Sequence, residues 1–429
     1  MKTTSILCAL LAGGCAALPE TRPPAAWPAA IREFATPQEA ARVAAAFPNS
    51  GGMVRRRLAA ALEAKDKPAA IAALRQLAAM GTSLSAHSQE QVEALIGAEA
   101  MAPIAALFDL NVRPLAASRV YANIPAEHDL VEGVAWDSKA GRLYATTVVD
   151  RALLSVGVDG ISVAASGGLG SLFGAAYDPE RNRLWIASAS VPETPKGEPA
   201  WIGLVSLEPD RPERVVRIPP PAGVSATPGD VAVARDGTVY ASDGMNGAIY
   251  RCRPGCSALE TLLAPGTLFS AQGLALSRDQ KWLYIADRRY GIAALDRSTG
   301  RLLQVAGDET MMLDGIDGLT LYGRDLIGLQ TAYHPQRIIR LRLSADGLRV
   351  RRLDVLERNL PEWKEITLGA VAGDRLLYVA NAHWSRYGEG GAPVKGAPAL
   401  PTPIRSLDLR QAAFETAKTS SPARDGRGM

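Results

Sequence analysis

The sequence predicts a mainly β protein, a six-bladed β-propeller preceded by a small α-helical module. Three observations carry that prediction. A phrase made of an apolar quartet, a turn and a second strand recurs six times from about residue 130. A third strand follows each pair, and in five copies a fourth, which gives the four-strand unit of a propeller blade. Residues 29 to about 118, in contrast, are rich in Ala and show apolar spacings of three and four, a helical period.

The first element is an address segment. Lys2 precedes the apolar run ILCALLAGG, then Cys15 and the Pro/Ala-rich stretch AALPETRPPAAWPAA. That run is too short to span a bilayer. LAGGC resembles the lipobox of bacterial lipoproteins, which implies a signal peptide over residues 1–14, lipidation of Cys15 and a linker over 15–28. An ordinary secretory signal cut near Ala17 is the alternative. The expected location is the cell envelope, lipid-anchored and facing the periplasm, or else soluble after export. A net charge of +3 without a basic stripe gives no reason to expect nucleic acid.

The helical module occupies 29–118. GGMVRRRLAAALEAKDKPAAIAALRQLAAMG reads as two helices parted near Lys67-Pro68 and stopped at Gly81; SAHSQEQVEALIG opens a third, with Ser88 as its cap. A single helical hairpin of this kind is expected to pack against a neighbour rather than to form a binding groove.

The propeller fills 119–410. Its copies begin EGVAWD, FGAAYD, GDVAVA, QGLALS, DGLTLY and LGAVAG; counted from the Gly133 position they start at 133, 174, 230, 273, 318 and 369, so the intervals are 41, 56, 43, 45 and 51. RVYANIP, residues 119–125, precedes the first blade and is expected to complete the last and close the ring. The polar tail 411–429 is expected to be disordered. Cys252 and Cys256 flank a Pro-Gly turn, so they either form a disulfide or remain two thiols.

The residue before each apolar quartet is expected to face the shared axis. These are Glu132, Phe173, Gly229, Gln272, Asp317 and Leu368. Asp-Gly is also a turn signal, so Asp317 is by itself either a turn residue or a ligand. Oxygen donors of this type suit a hard cation, calcium first among them. A long loop in blade six and the AYHPQ segment of blade five bring Tyr333, His334, Asn381, His383 and Trp384 as candidate substrate contacts, with His383 also a candidate general base. Asp150, Asp243 and Asp287, each following a second strand, read as turn-builders.

The propeller resembles the senescence marker protein/gluconolactonase group: EGVAWD is similar to that family's first metal-bearing motif and DGLTL to its last, with QGLAL between them. The resemblance implies a divalent metal held by Glu132, Asp317 and Gln272, which stands where Asn is usual, with Asp230 as an acid or base. It implies a metal-dependent hydrolase of lactones or related esters. Copies such as GDVAVARDGTVYASDGMNGAIYR also resemble NHL repeats, which implies the alternative of a non-catalytic propeller that binds an envelope protein or a small sugar-like ligand.

Overall fold

A computed structural model describes residues 25–28, 36–197 and 201–410. The expected signal peptide, Cys15 with its expected lipidation, and the tail 411–429 lie outside the described residues.

Six four-stranded antiparallel sheets make up the ring. The first five span 131–165, 171–218, 228–263, 271–304 and 316–358, each in simple up-and-down order. The sixth takes three strands from 369–408 and its outermost from Arg119–Ile124, which pairs Arg119 with Ser406 and Ile124 with Thr402. The ring is therefore closed by the segment that precedes blade one, as the sequence predicts. Closure ties the two ends of the propeller by backbone hydrogen bonds.

Asp243 and Asp287 do act as turn-builders, and by the same device. Each ends a second strand, accepts two backbone N–H groups of the following turn with Oδ1, and reaches back with Oδ2 to a backbone N–H that precedes its own blade, Thr227 or Phe269. Such a carboxylate satisfies three donors that would otherwise be buried unpaired. Asp150 makes the backward contact, to the Asp129 N–H at 3.0 Å.

Five helices precede the ring: α1 (Pro37–Ala46), α2 (Gly51–Glu63), α3 (Lys67–Ala79), α4 (Ala86–Ile96) and α5 (Ala98–Asn111). α2, α3 and α4 are the helices read from the sequence. α1 and α5 are additional: α1 starts with Thr36 as cap and Pro37 in its first turn, and α5 carries Pro103 within its first two turns. The cap of α4 is Ser85, not Ser88; Ser85 Oγ accepts the Ser88 N–H at 3.2 Å. Leu74, Leu77, Ile104 and Phe108 form the module's core, and Met312 of the propeller packs into the same cluster.

The module is bolted to the ring through Asp314, a fully buried carboxylate just before blade five. It accepts the α2 amides of Gly51 and Gly52 at 2.9 and 3.0 Å, Ser50 Oγ at 2.9 Å and Tyr333 Oη at 2.8 Å. A helix N-terminus favours an anion, and here the anion comes from the neighbouring domain. A side chain at Gly51 or Gly52 would force a shift, since a Cβ would lie 2.6 Å from Met312 Sδ or 2.8 Å from Tyr333 Oη. Residues 25–27, at the end of the expected linker, lie along the outer strand of blade four through backbone bonds from Trp27 N–H to Leu302 and from Gln304 N–H to Ala25.

Cys252 and Cys256 are joined in a disulfide, with Cα atoms 5.5 Å apart. The bond closes the turn after the third strand of blade three.

Candidate functional site

The innermost strands of blades one to five each carry a register shift at one place, for example between Val131 and Val134 and between Ala271 and Leu274. A bulge turns a side chain out of the ladder toward the axis. It falls on the residues that the repeat points to, and all six of them, Glu132, Phe173, Gly229, Gln272, Asp317 and Leu368, line one cavity of ≈ 470 Å³ at the mouth of the channel.

The glycine after each inner residue has a steric cause. A Cβ on Gly133 would lie 2.6 Å from the Phe173 carbonyl oxygen, and one on Gly273 would lie 2.3 Å from the Leu319 nitrogen. Neighbouring blades therefore approach at these positions as closely as backbone allows. Blade three breaks the rule, for Asp230 occupies the glycine place. Its carboxylate goes between blades: Oδ2 accepts the Leu274 N–H of blade four at 2.8 Å, and Oδ1 fills the space left by Gly174 of blade two. Asp230 also lines a second cavity of ≈ 270 Å³ further along the same strands, so it stands at the waist of the channel.

Burial dominates the electrostatics of two carboxyls here. Desolvation pushes Glu132 up to about 7, opposed by the Trp384 indole N–H and reinforced by Glu365. It pushes Asp230 up to about 7 as well, opposed by the Leu274 and Val231 amides. Both groups thus sit near half-ionisation at neutral pH, where a proton can be taken or given with little driving cost. Trp384 Nε1 donates to Glu132 Oε2 at 2.7 Å, and its ring stacks on Phe173 with centroids 6.3 Å apart. The two rings form one wall of the mouth.

Asp317 is neither a plain turn residue nor a free ligand. Its Oδ1 pairs with the Arg288 guanidinium and its Oδ2 accepts the Thr331 hydroxyl. Gln272 Nε2 donates to Ser270 Oγ at 2.8 Å, which in turn donates to the Gly244 carbonyl at 2.8 Å. These contacts decide whether the expected divalent cation fits. Calcium takes six to eight oxygens, yet both oxygens of Asp317 are engaged, one by a cation, and among the described residues no three His, Cys, Asp or Glu side chains are grouped to hold an ion. Glu132, Gln272 and Asp317 share one cavity, and Arg288 competes with an ion for the Asp317 carboxylate.

Of the loop residues, Trp384 reaches the cavity and the others do not line it. Tyr333 turns toward the helical module, bonded to Asp314 and with the Arg55 guanidinium 5.2 Å from its ring centre. The backbone carbonyl of His334 accepts the Ser83 N–H at 2.9 Å, which makes that loop a joint between module and ring. His383, in a left-handed conformation, places Nε2 3.3 Å from the Pro401 carbonyl. Asn381 is buried beneath the loop. Domain packing has thus claimed the blade-five segment expected to contact ligand.

Sequence reasoning missed Arg288, Thr331 and Glu365, all of which line the mouth. A signal for the first two was present. Arg288, Gly244 and Thr331 each stand one residue past the end of a second strand, at Asp287, Asp243 and Gln330, and all three line the cavity. The repeat that marks the turn-building acid also marks its neighbour as a channel residue.

No family model and no curated protein matches the sequence. Among solved structures, a gluconolactonase of Xanthomonas campestris is 18% identical with a TM-score of 0.47, covering 69% of this chain and 96% of its own. The calcium-binding protein regucalcin of Agrobacterium tumefaciens is 16% identical with a TM-score of 0.45, covering 68% and 97%. Virginiamycin B lyase of Staphylococcus aureus is 13% identical with a TM-score of 0.45, covering 60% and 80%. The chain is therefore similar to gluconolactonase-like six-bladed propellers in its ring of blades, at identities that describe the fold.

Proposed function

We propose that the channel mouth binds a small lactone or related ester and hydrolyses it by acid–base chemistry. One observation carries the reading: Glu132 and Asp230, both held at about 7, line one cavity with the Arg288 guanidinium. The ionised member of the pair takes a proton from water as its oxygen attacks the acyl carbon. The acyl C–O bond then breaks, and the protonated member gives its proton to the departing alkoxide, so the product is a hydroxy acid. Two carboxyls near half-ionisation suit both roles at neutral pH. Arg288, paired with Asp317, lines the same cavity.

A binding role without turnover is the second reading. It is favoured by the Leu274 N–H that already occupies Asp230 Oδ2, a bond that also serves to join two blades. An envelope protein or a sugar-like molecule would then be the partner. For either reading we place the protein in the cell envelope, tethered through Cys15; the Cys252–Cys256 disulfide supports an oxidising compartment. Palmitate labelling tests the tether, and a Cys15→Ser protein that stays membrane-bound would sink it.

The function is tested by proton release from a panel of γ- and δ-lactones and aryl esters. Wild type is expected to turn over at least one, and Asp230→Asn and Glu132→Gln to lose about 100-fold or more in rate. A panel left untouched by wild type, or variants as active as wild type, would refute the hydrolase.

A further inference from the structure

The mouth is lined by four carboxyls, Glu132, Asp230, Asp317 and Glu365, and by one cationic side chain, Arg288. A guanidinium in such a place would ordinarily be the receptor for a ligand carboxylate, because its planar donors match two oxygens. Here one of those donors, Nη1, is already engaged from within. Asp317 Oδ1 holds Arg288, and Thr331 holds the other oxygen of the same carboxylate, so the pair is fixed from both sides.

We propose that Asp317 is the specificity-determining residue of the mouth, and that by neutralising Arg288 it makes the cavity take neutral or cationic ligands and reject anionic ones. The inference rests on the reading of the mouth as a small-molecule site. With the ion pair closed, a ligand faces Glu132, Asp230 and Glu365 together with a guanidinium whose charge Asp317 offsets through Nη1. An incoming carboxylate meets a net negative lining, which costs affinity and raises the protonation of the two acids it approaches. A hydroxylated neutral ring meets hydrogen-bond acceptors, and an ammonium group also meets the stacked wall of Phe173 and Trp384, whose faces attract cations. The same field acts on the outcome of ester hydrolysis. The substrate enters uncharged and the hydroxy acid leaves as an anion, so the cavity that admits the first expels the second.

Three probes that share one ring and differ in charge test this: glucosamine, glucose and glucuronate, titrated calorimetrically at pH 7 into the full chain. Wild type is expected to bind glucuronate about tenfold or more weakly than glucose, with glucosamine at least as tight as glucose. Asp317→Asn frees the guanidinium and is expected to tighten glucuronate about tenfold while weakening glucosamine. Asp317→Glu, which keeps the pair, is expected to retain the wild-type order, and adding Arg288→Met to Asp317→Asn is expected to abolish the gain for glucuronate. The inference is overturned if wild type prefers glucuronate, if Asp317→Asn leaves the order of the three unchanged, or if neither protein binds any of them. Lactone turnover with an unchanged charge order would sink this inference alone. An inverted order without lactone turnover would sink only the hydrolase reading.

Discussion

Replacing Glu132 by Gln is expected to stabilise the protein, and by an amount that depends on pH. Gln keeps an oxygen for the Trp384 indole N–H, which now sits 2.7 Å from Glu132 Oε2, and it removes a charge that burial opposes. The sign follows from the direction of the shift. A carboxyl whose folded pKa lies above its unfolded one contributes stability that is fully present below the unfolded value and is lost as pH rises through the folded value. For Glu132 the window runs from 4.5 to about 7. At about 1.4 kcal/mol for each pH unit, ionising Glu132 in the folded protein costs up to about 3 kcal/mol at pH 8 and about 1 kcal/mol at pH 5. Glu132 keeps part of its surface open to the cavity, so these are upper figures. Denaturant unfolding of wild type and Glu132→Gln at pH 4, 5, 6, 7 and 8 measures the difference directly. The variant is expected to gain steadily from pH 5 upward and to match wild type at pH 4. A difference that stays constant with pH, or a variant less stable at pH 8, would refute the reasoning.

Three further outcomes are expected. Asp314→Ala strands Ser50, Gly51, Gly52 and Tyr333 without their acceptor, which costs about 3 kcal/mol or more; limited proteolysis should then cut first within residues 36–118, and an unchanged digestion pattern would contradict the clamp. Cys256→Ser opens a short loop and is expected to cost about 2 kcal/mol by loop entropy, read as a lower unfolding midpoint that matches wild type under reducing conditions. Calcium, or its removal by a chelator, is expected to leave the melting temperature unchanged, since Arg288 holds the Asp317 carboxylate; a calcium-dependent rise would show that the guanidinium gives way to the ion.

The ring and its axis were legible because they repeat. Six copies fixed the blades, the closing strand 119–124 and the six axial residues, since a period of four strands leaves each inner strand one place to start. Side-chain partnerships do not repeat, and these were invisible. Nothing in DGLTLY says that Arg288, from a different blade, pairs with Asp317, or that the Asp230 carboxylate, at a place glycine holds in the other five blades, accepts the Leu274 N–H of the next one. Tyr333 and His334 show the same limit from the other side. Their segment has the composition of a ligand contact, but the helical module covers it, and docking between two domains leaves no periodic trace in either. α5 escaped notice for a local reason, because it is apolar on most sides and carries Pro103, so it lacks the polar face that marks a surface helix.

The reading of the mouth as an acid–base site turns on where Glu132 and Asp230 exchange protons. The pH dependence of kcat/KM, measured from pH 5 to 9 on the lactone that wild type turns over fastest, reports the ionisation of the essential groups in the free protein. The expected profile bends near pH 7, and the bend is lost with the activity in Asp230→Asn. A rate that is flat between pH 6 and 8, or a profile unchanged by both Asp230→Asn and Glu132→Gln, would contradict it.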